Sequence, residues 1–366
     1  MALSKLKARM KGIKYLPFEQ DGKTYNLYDI PKGFVIKGVL DLSNIGLTEL
    51  PDLSEVVVKG DFYCSNNKLT SLEGAPKTVG GYFSCHSNQL TSLEGAPKEV
   101  GGDFDCSYNQ LTSLEGAPQE VGGNFDCYSN QLTSLEGAPQ KVGGYFDCHG
   151  NKLTSLQGAP QTVGGNFDCS YNYLTSLQGA PELVGGAFNC RNNQLTSLEG
   201  APKEVDGYFS CADNQLTSLE GAPQTVGGSF YCRYNQLTSL EGAPQTVGGN
   251  FYCRYNQLTS LVKIPQLAEG YKIYCNDSLG NKYGFYHTCN YGIKYEELCA
   301  SPLYKNELAM SRVRSKLPQE KIETKPASSE QQKTVDPKQK EKQQQEKINA
   351  EFSQWLKDNS NKPTRE

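Results

Sequence analysis

Hydrophobic and polar positions repeat along most of this chain with a strict period of 21 residues. One unit reads Gly-Gly-x-Phe-x-Cys-x-x-Asn-x-Leu-Thr-Ser-Leu-x-Gly-Ala-Pro-x-x-Val, as in residues 101–121, and its positions are numbered 1 to 21. Phe at position 4 and Cys at position 6 alternate with variable residues at positions 3, 5 and 7, which is the period-two pattern of a half-buried strand. The pattern therefore predicts one short strand in each unit.

A unit this short cannot bury its own apolar face, so neighbouring units are expected to stack into one continuous core. Because every coil runs in the same direction, the strands should form a parallel sheet with about 4.8 Å between coils. Position 4 places ten rings in one stack, at Phe62, Phe83, Phe104, Phe125, Phe146, Phe167, Phe188, Phe209, Phe230 and Phe251. Position 6 places ten thiols beside them, at Cys64, Cys85, Cys106, Cys127, Cys148, Cys169, Cys190, Cys211, Cys232 and Cys253.

Two further features predict how each coil turns. Position 9 is Asn in all ten units, from Asn67 to Asn256. An inward amide there can satisfy the backbone groups that the turn leaves unpaired, and it can do so for successive coils. The Gly-Ala-Pro segment joins a residue that permits positive φ to one that fixes an extended path. We therefore expect the far side of each coil to be irregular or polyproline-like rather than helical.

The order Phe-x-Cys-x-x-Asn-x-Leu-x-x-Leu resembles the leucine-rich-repeat motif L-x-x-L-x-L-x-x-N-x-L over residues 59–268. The chain is most similar to leucine-rich proteins of the short-repeat bacterial and bacteriophage type, including the repeat region of secreted bacterial effectors. The resemblance implies a right-handed leucine-rich-repeat solenoid with a parallel β-sheet on its concave face and little or no helix on its convex face. Some such effectors carry a separate ubiquitin-ligase domain with a Cys-x-Asp nucleophile, and we expect no such domain here.

The predicted organisation has five parts. An N-terminal cap covers residues 1–36, a solenoid of about eleven coils covers 37–270, and a tyrosine-rich C-terminal cap covers 271–310. A disordered linker rich in Lys, Glu and Gln covers 311–345, and a helical tail, an amphipathic helix, covers 346–359. The apolar residues of this helix are predicted to dock on the solenoid or in a groove of a partner, and they are Ile348, Phe352, Trp355 and Leu356.

Net charge and cysteine content narrow the setting in which the protein works. The formal net charge of −4 gives no overall basic footprint for nucleic acid, and no apolar run approaches the length of a membrane-spanning helix. Residues 1–14 are basic but lack the apolar core of a secretory signal. Closely spaced free thiols favour a reducing compartment, so we expect the cytoplasm, including that of a host cell reached without a cleaved signal peptide.

Three cysteines, Cys275, Cys289 and Cys299, lie outside the repeat. With His287 they could supply three thiolates and an imidazole to zinc. However, no C-x-x-C is present and the four residues are spread over 25 positions. We therefore interpret these cysteines as core residues of the C-terminal cap, and we expect no metal and no cofactor.

The residues that vary between units lie at positions 3, 5, 7 and 8, which should face outward on the concave sheet. Position 5 carries an acidic row, made of Asp105, Asp126, Asp147 and Asp168, with about 5 Å between neighbours. Like charges in a row destabilise a sheet, so the row is either a binding surface for a basic segment or a set of solvated charges copied by duplication. Later coils carry a basic aromatic group, made of Arg191, Tyr231, Arg233, Tyr234, Tyr252, Arg254 and Tyr255.

These two groups predict a protein partner of matching polarity, since Tyr and Arg are enriched at protein interfaces. The aspartates argue against single-stranded nucleic acid because they would repel its phosphates, and one row of carboxylates is not a calcium cage. No feature indicates a membrane or a small-molecule ligand. His86 and His149 would lie about 14 Å apart, too far for one active site.

The sequence therefore predicts a non-enzymatic protein–protein interaction module that binds its partner on the concave face. The alternative is a structural spacer, or a bacterial effector or phage component without catalysis of its own.

Overall fold

Residues 15–314 are described by a computed structural model, and they fall in two compact units divided between Glu296 and Glu297. The first unit is a solenoid in which positions 4 and 5 of every coil form a strand of the main sheet. Neighbouring coils pair in parallel and in register, so Phe lies beside Phe along the ladder. The parallel strands are Leu40–Asp41, Phe62–Tyr63, Phe83–Ser84, Phe104–Asp105, Phe125–Asp126, Phe146–Asp147, Phe167–Asp168, Phe188–Asn189, Phe209–Ser210, Phe230–Tyr231, Phe251–Tyr252 and Lys272–Tyr274. The predicted leucine-rich-repeat solenoid with a parallel sheet is confirmed.

Each coil also contributes a second strand, at positions 20 and 21, so the prediction of one strand per coil is wrong. Position 21 is a buried apolar residue, and the glycine that follows it lets neighbouring backbones approach closely; the amide of Gly164, for example, donates to the carbonyl of Val142 at 2.9 Å. The first eight strands are Val35–Ile36, Val57–Val58, Thr78–Val79, Glu99–Val100, Glu120–Val121, Lys141–Val142, Thr162–Val163 and Leu183–Val184. Four more follow in a separate sheet, Glu204–Val205, Thr225–Val226, Thr246–Val247 and Gln266–Leu267.

The interruption of this second ladder coincides with a change at position 1. Eight of the ten units carry glycine there, but the coil after the interruption carries Asp206. A side chain at the glycine positions would collide with the carbonyl oxygen of the equivalent residue in the preceding coil, as Gly185 would with Gly164. Lys59 also replaces glycine at position 1, but the strand Val57–Val58 before it pairs on both sides, so a β-carbon at this position does not by itself interrupt the ladder.

The interior consists of vertical stacks of identical residues. Successive phenylalanine rings lie 5.0–5.5 Å apart with interplanar angles of 5–19°, and all ten rings are fully buried. The cysteines lie beside them, and the Cys106 thiol donates to the carbonyl of Asp126 at 3.3 Å. That carbonyl also accepts the amide of Cys106, so this small thiol adds a weak second link between adjacent coils.

The predicted role of the asparagine at position 9 is confirmed. In one coil the side-chain amide of Asn109 donates to the carbonyl of Cys85 in the preceding coil and to those of Cys106 and Ser107 in its own. Its Oδ1 accepts the amide of Leu90 at 3.0 Å. Since nearly every coil repeats this set, the asparagines link each turn of the chain to the one before it.

The ends of the described chain differ from the coils. An antiparallel hairpin, Pro17–Gln20 with Lys23–Asn26, and a 3-10 turn, Leu27–Asp29, precede the first coil. The strand Ile293–Lys294 pairs antiparallel to the last parallel strand of the main sheet. The helices are Asp277–Lys282, Thr288–Tyr291, Tyr295–Ala300 and Pro302–Arg314, so no helix interrupts the coils from 37 to 270. The last helix extends four residues into the predicted linker. The rest of that linker, the basic N-terminal segment and the tail helix with Ile348, Phe352, Trp355 and Leu356 lie outside the described residues.

Candidate functional site

The outer face of the main sheet, made by positions 3, 5, 7 and 8 and called here the main face, carries both predicted groups. The four aspartates pair in register on successive strands, Asp105 beside Asp126, then Asp147, then Asp168. Positions 5 and 7 lie side by side, because His149 Nδ1 is 2.7 Å from Asp147 Oδ1. This contact raises the pKa of His149, and the imidazole also stacks on Tyr128 at 4.7 Å.

The acidic row is not uniformly exposed, so its four carboxylates are not equivalent. Asp105 and Asp126 are only 9% and 8% exposed. The hydroxyl of Tyr82 donates to Asp105 and that of Tyr145 donates to Asp126, each at 2.9 Å. Tyrosines at position 3 therefore cover the first two carboxylates, while Asp147 and Asp168 stay partly open to solvent.

Burial raises the pKa of Asp126 to about 7, against the opposing effect of its hydrogen bond from Tyr145. The neighbouring carboxylates Asp105 and Asp147 raise it further, because each like charge disfavours ionisation. Asp126 is therefore largely protonated on the acid side of neutrality, and the row carries fewer than four charges there.

We expect Asp126→Asn to change the pH dependence of stability. A carboxyl group with an ordinary pKa when unfolded and a pKa of about 7 when folded binds a proton on folding. Its contribution to the free energy of unfolding should thus be greatest below about pH 4 and decline by on the order of 2–4 kcal/mol as the pH rises to about 7. Calorimetric melting of Asp126→Asn should show a smaller loss between pH 5 and pH 8 than the parent. Asp213→Asn is the matched control, and identical slopes in Asp126→Asn and the parent would refute the assignment.

The two partly exposed aspartates, Asp147 and Asp168, lie in a notch on the main face. A space of about 200 Å³ is bounded by Tyr145 and Tyr208, and it includes Asp147, Asp168 and the small residue Ala187. Tyr145 bends away from the notch toward Asp126, and Tyr208 makes an edge contact with Tyr231. The two walls therefore leave the space between them free.

The basic aromatic group forms two columns of rings on the main face. Tyr231 and Tyr252 stack with ring centroids 4.6 Å apart, and Tyr274 extends the column at 4.5 Å. Tyr234 and Tyr255 stack at 4.3 Å and are 45% and 50% exposed. The structure thus brings together the four tyrosines that the sequence singles out.

The three predicted arginines pack against tyrosine rings. The guanidinium carbon of Arg191 lies 5.1 Å from the ring centroid of Tyr171. The corresponding distances are 6.0 Å from Arg233 to Tyr234 and 5.8 Å from Arg254 to Tyr274. Arg254 is also held by donation from Nη1 to the carbonyl of Cys289. Within residues 15–314, none of the three belongs to an ion pair, and the Nε of each is buried without an acceptor. The basic group therefore has no carboxylate partner in the described structure.

Sequence reasoning missed the tyrosines that shape this face. Tyr82, Tyr145 and Tyr208 all stand at position 3, with a spacing of 63 residues, or three coils. This longer period is visible in the sequence, but it does not show which carboxylates the rings cover. The direction in which each ring leans comes only from its hydrogen bond or edge contact.

Most cysteines of the described residues are buried, but Cys289 and Cys299 are only partly buried, so the interpretation of these two as core residues is wrong. The ten repeat thiols are buried, and burial raises the pKa of each. Residues 275–277 do have the Cys-x-Asp spacing of a ubiquitin-ligase nucleophile, but the Cys275 thiol is fully buried, and burial raises its pKa to about 11. No cluster of three or more potential metal ligands occurs among residues 15–314.

The largest groove on the second ladder of residues 15–314 has a mixed lining without one kind of functional group. A shallow groove of about 1450 Å³ follows the second ladder, lined by backbone glycines and by a mixture of acidic and basic residues such as Glu99, Glu120 and Lys141. Between residues 15 and 314, the helices are too short or too polar to span a bilayer. The main face is therefore the strongest candidate for function.

The fold and this face together define a leucine-rich-repeat solenoid with a polar, tyrosine-rich sheet surface. It is similar to YopM from Yersinia enterocolitica WA-314, with 20% identity, 65% of each chain covered and a TM-score of 0.37. It is also similar to YopM, a leucine-rich effector protein from Yersinia pestis, with 18% identity, 64% of this chain and 81% of that chain covered, and a TM-score of 0.33. This chain thus spans less than two thirds of the length of the first. No family model and no curated protein matches it.

Proposed function

We propose that this protein is a non-enzymatic interaction module whose main face binds another protein. The observation that carries the proposal is the uncompensated basic aromatic group beside a row of carboxylates on one rigid ladder. Arginines packed on tyrosines lose little conformational entropy when they meet a partner, so such a surface is suited to recognition.

The arrangement favours a protein over a uniformly charged polymer. The acidic row would repel the phosphates of a nucleic acid, whereas a polypeptide can present basic and acidic side chains in the matching order. A structural spacer needs only the stacked core, and it does not require charges without partners on one face. The buried thiols suit a reducing compartment, and we place the protein there.

Selection from a random peptide library displayed on phage tests this proposal. Peptides selected on the full chain should bind Arg191→Gln/Arg233→Gln about tenfold more weakly, because their acidic groups lose cationic partners. The matched control is Glu99→Gln/Glu120→Gln, which also changes two exposed charges but on the second ladder, and it should bind within about twofold of the parent. Peptides that depend on the second-ladder charges and not on the arginines would refute the proposal.

A further inference from the structure

The notch between Tyr145 and Tyr208 is built differently from the rest of the acidic row. Its walls stand at position 3 of coils three apart, and position 3 between them is occupied by Asn166 and Ala187. Because Ala187 has no ring, the carboxylates of Asp147 and Asp168 remain accessible to solvent. Asp105 and Asp126 show what a nearby tyrosine does, since the hydroxyls of Tyr82 and Tyr145 bond to them and the rings cover them.

The carboxylates in the notch keep unused capacity to accept hydrogen bonds. Asp147 accepts the amide and the Nδ1 of His149 through Oδ1 alone, and its Oδ2 accepts no hydrogen bond from residues 15–314. Asp168 accepts the amide of Ser170 and the side-chain amide of Asn189, which hold its carboxylate in one orientation. No Lys or Arg of the described chain lies within 4 Å of either carboxylate.

The size of the notch limits its occupant to one side chain. Its volume of about 200 Å³ is below the roughly 300–1,000 Å³ of small-molecule pockets, yet it is several times the approximately 30 Å³ of a water molecule. Two tyrosine rings beside two carboxylates suit a planar cation, which can lie against a ring and donate to both acids. A guanidinium group fits this combination better than an ammonium group does.

We propose that this notch takes one arginine side chain of the protein that binds the main face. The inference rests on the proposed function, because it assigns one anchor of that same interface. The bound guanidinium donates to Oδ2 of Asp147 and to Asp168, within the space that Tyr145 and Tyr208 bound. Lysine binds more weakly because it cannot donate to both acids as a planar fork.

Three short peptides provide the direct probe. Each has one central residue, which is arginine, lysine or the neutral isostere citrulline, with two glycines on either side. Their N-termini are acetylated and their C-termini amidated. Ligand-observed NMR titration of the full chain at about pH 8 measures the binding of each peptide. The arginine peptide should bind with the highest affinity, and the citrulline peptide about tenfold or more weaker, because only a cation gains from the carboxylates.

Three variants locate the binding. Ala187→Tyr fills the notch without changing charge, using the residue that three other coils carry at the same position. Asp147→Asn/Asp168→Asn removes the open charges, and Glu99→Gln/Glu120→Gln removes two charges from the second ladder as the matched control. The first two variants should weaken arginine binding by about tenfold or more and the control by less than about twofold, with melting measured for each to confirm folding.

Two results would overturn the inference. One is equal binding of the arginine and citrulline peptides, and the other is undiminished arginine binding in Ala187→Tyr. The proposed function can survive this failure. Library-selected peptides that require Arg191 and Arg233 but tolerate Ala187→Tyr would keep the interface and remove the notch from it.

Discussion

Replacing Asn130 by alanine is expected to lower the free energy of unfolding by about 3 kcal/mol or more, although its side chain is buried and not itself part of the main face. Its Oδ1 accepts the amide of Leu111 at 3.0 Å, and its Nδ2 donates to the carbonyls of Cys106 and Cys127 at 3.1 Å each. Alanine leaves these buried backbone groups without partners in two successive coils, and each such group carries its own desolvation cost.

Urea denaturation followed by circular dichroism measures this effect. Asn130→Asp keeps an acceptor but loses the amide donor and buries a charge, so it should be at least as damaging as alanine. The matched control is Gln131→Ala at the adjacent exposed position, which should change stability by less than about 0.5 kcal/mol. A loss of less than about 1 kcal/mol in Asn130→Ala would mean that the asparagines do not hold the coils together.

Replacing Phe146 by alanine is expected to cost about 3–5 kcal/mol. The ring is fully buried and stacks on both neighbours, with centroids 5.3 Å from Phe125 and 5.5 Å from Phe167. Truncation removes both ring contacts and leaves a cavity that the strands on either side cannot fill without breaking register. Phe146→Leu should cost less, because leucine fills part of the same space.

Hydrogen exchange should show where this damage is located. Because each coil contacts only its neighbours, amides of the coils on either side should lose protection first, and those of distant coils should lose less. Leu183→Ala is the matched control, since this residue is 66% exposed on the second ladder and should change stability little. Uniform loss of protection across all coils would contradict the nearest-neighbour description of the core.

The inward half of the repeat could be predicted from the sequence because identical residues in register must form stacks. Phe at position 4 and Asn at position 9 each have one physical role in a closely wound coil, so their environments follow from spacing alone. The second strand could not be predicted in this way. The strand at positions 20 and 21 has only two residues, which is too few to show a period. Its pairing depends on the space left by the glycine that follows it.

The candidate site could be predicted in composition but not in exposure. The spacing of the aspartates places Asp105 and Asp168 in the same row, and it treats them as equivalent. Their difference arises from position 3, where Tyr82 covers one carboxylate and Ala187 leaves the other accessible. Alternation within one strand does not contain this information, because a tyrosine in one coil covers a carboxylate of a neighbouring coil.

Site-specific photo-crosslinking in living cells tests most directly whether the main face binds a protein. A benzophenone amino acid placed at Tyr208 or Tyr234 reports on that face, and one placed at Leu183 reports on the exposed side of the second ladder. Capture of the same protein from Tyr208 and Tyr234, with none from Leu183, is the expected result. Capture from Leu183 alone would show that partners bind the second ladder and would contradict the assignment of function to the main face.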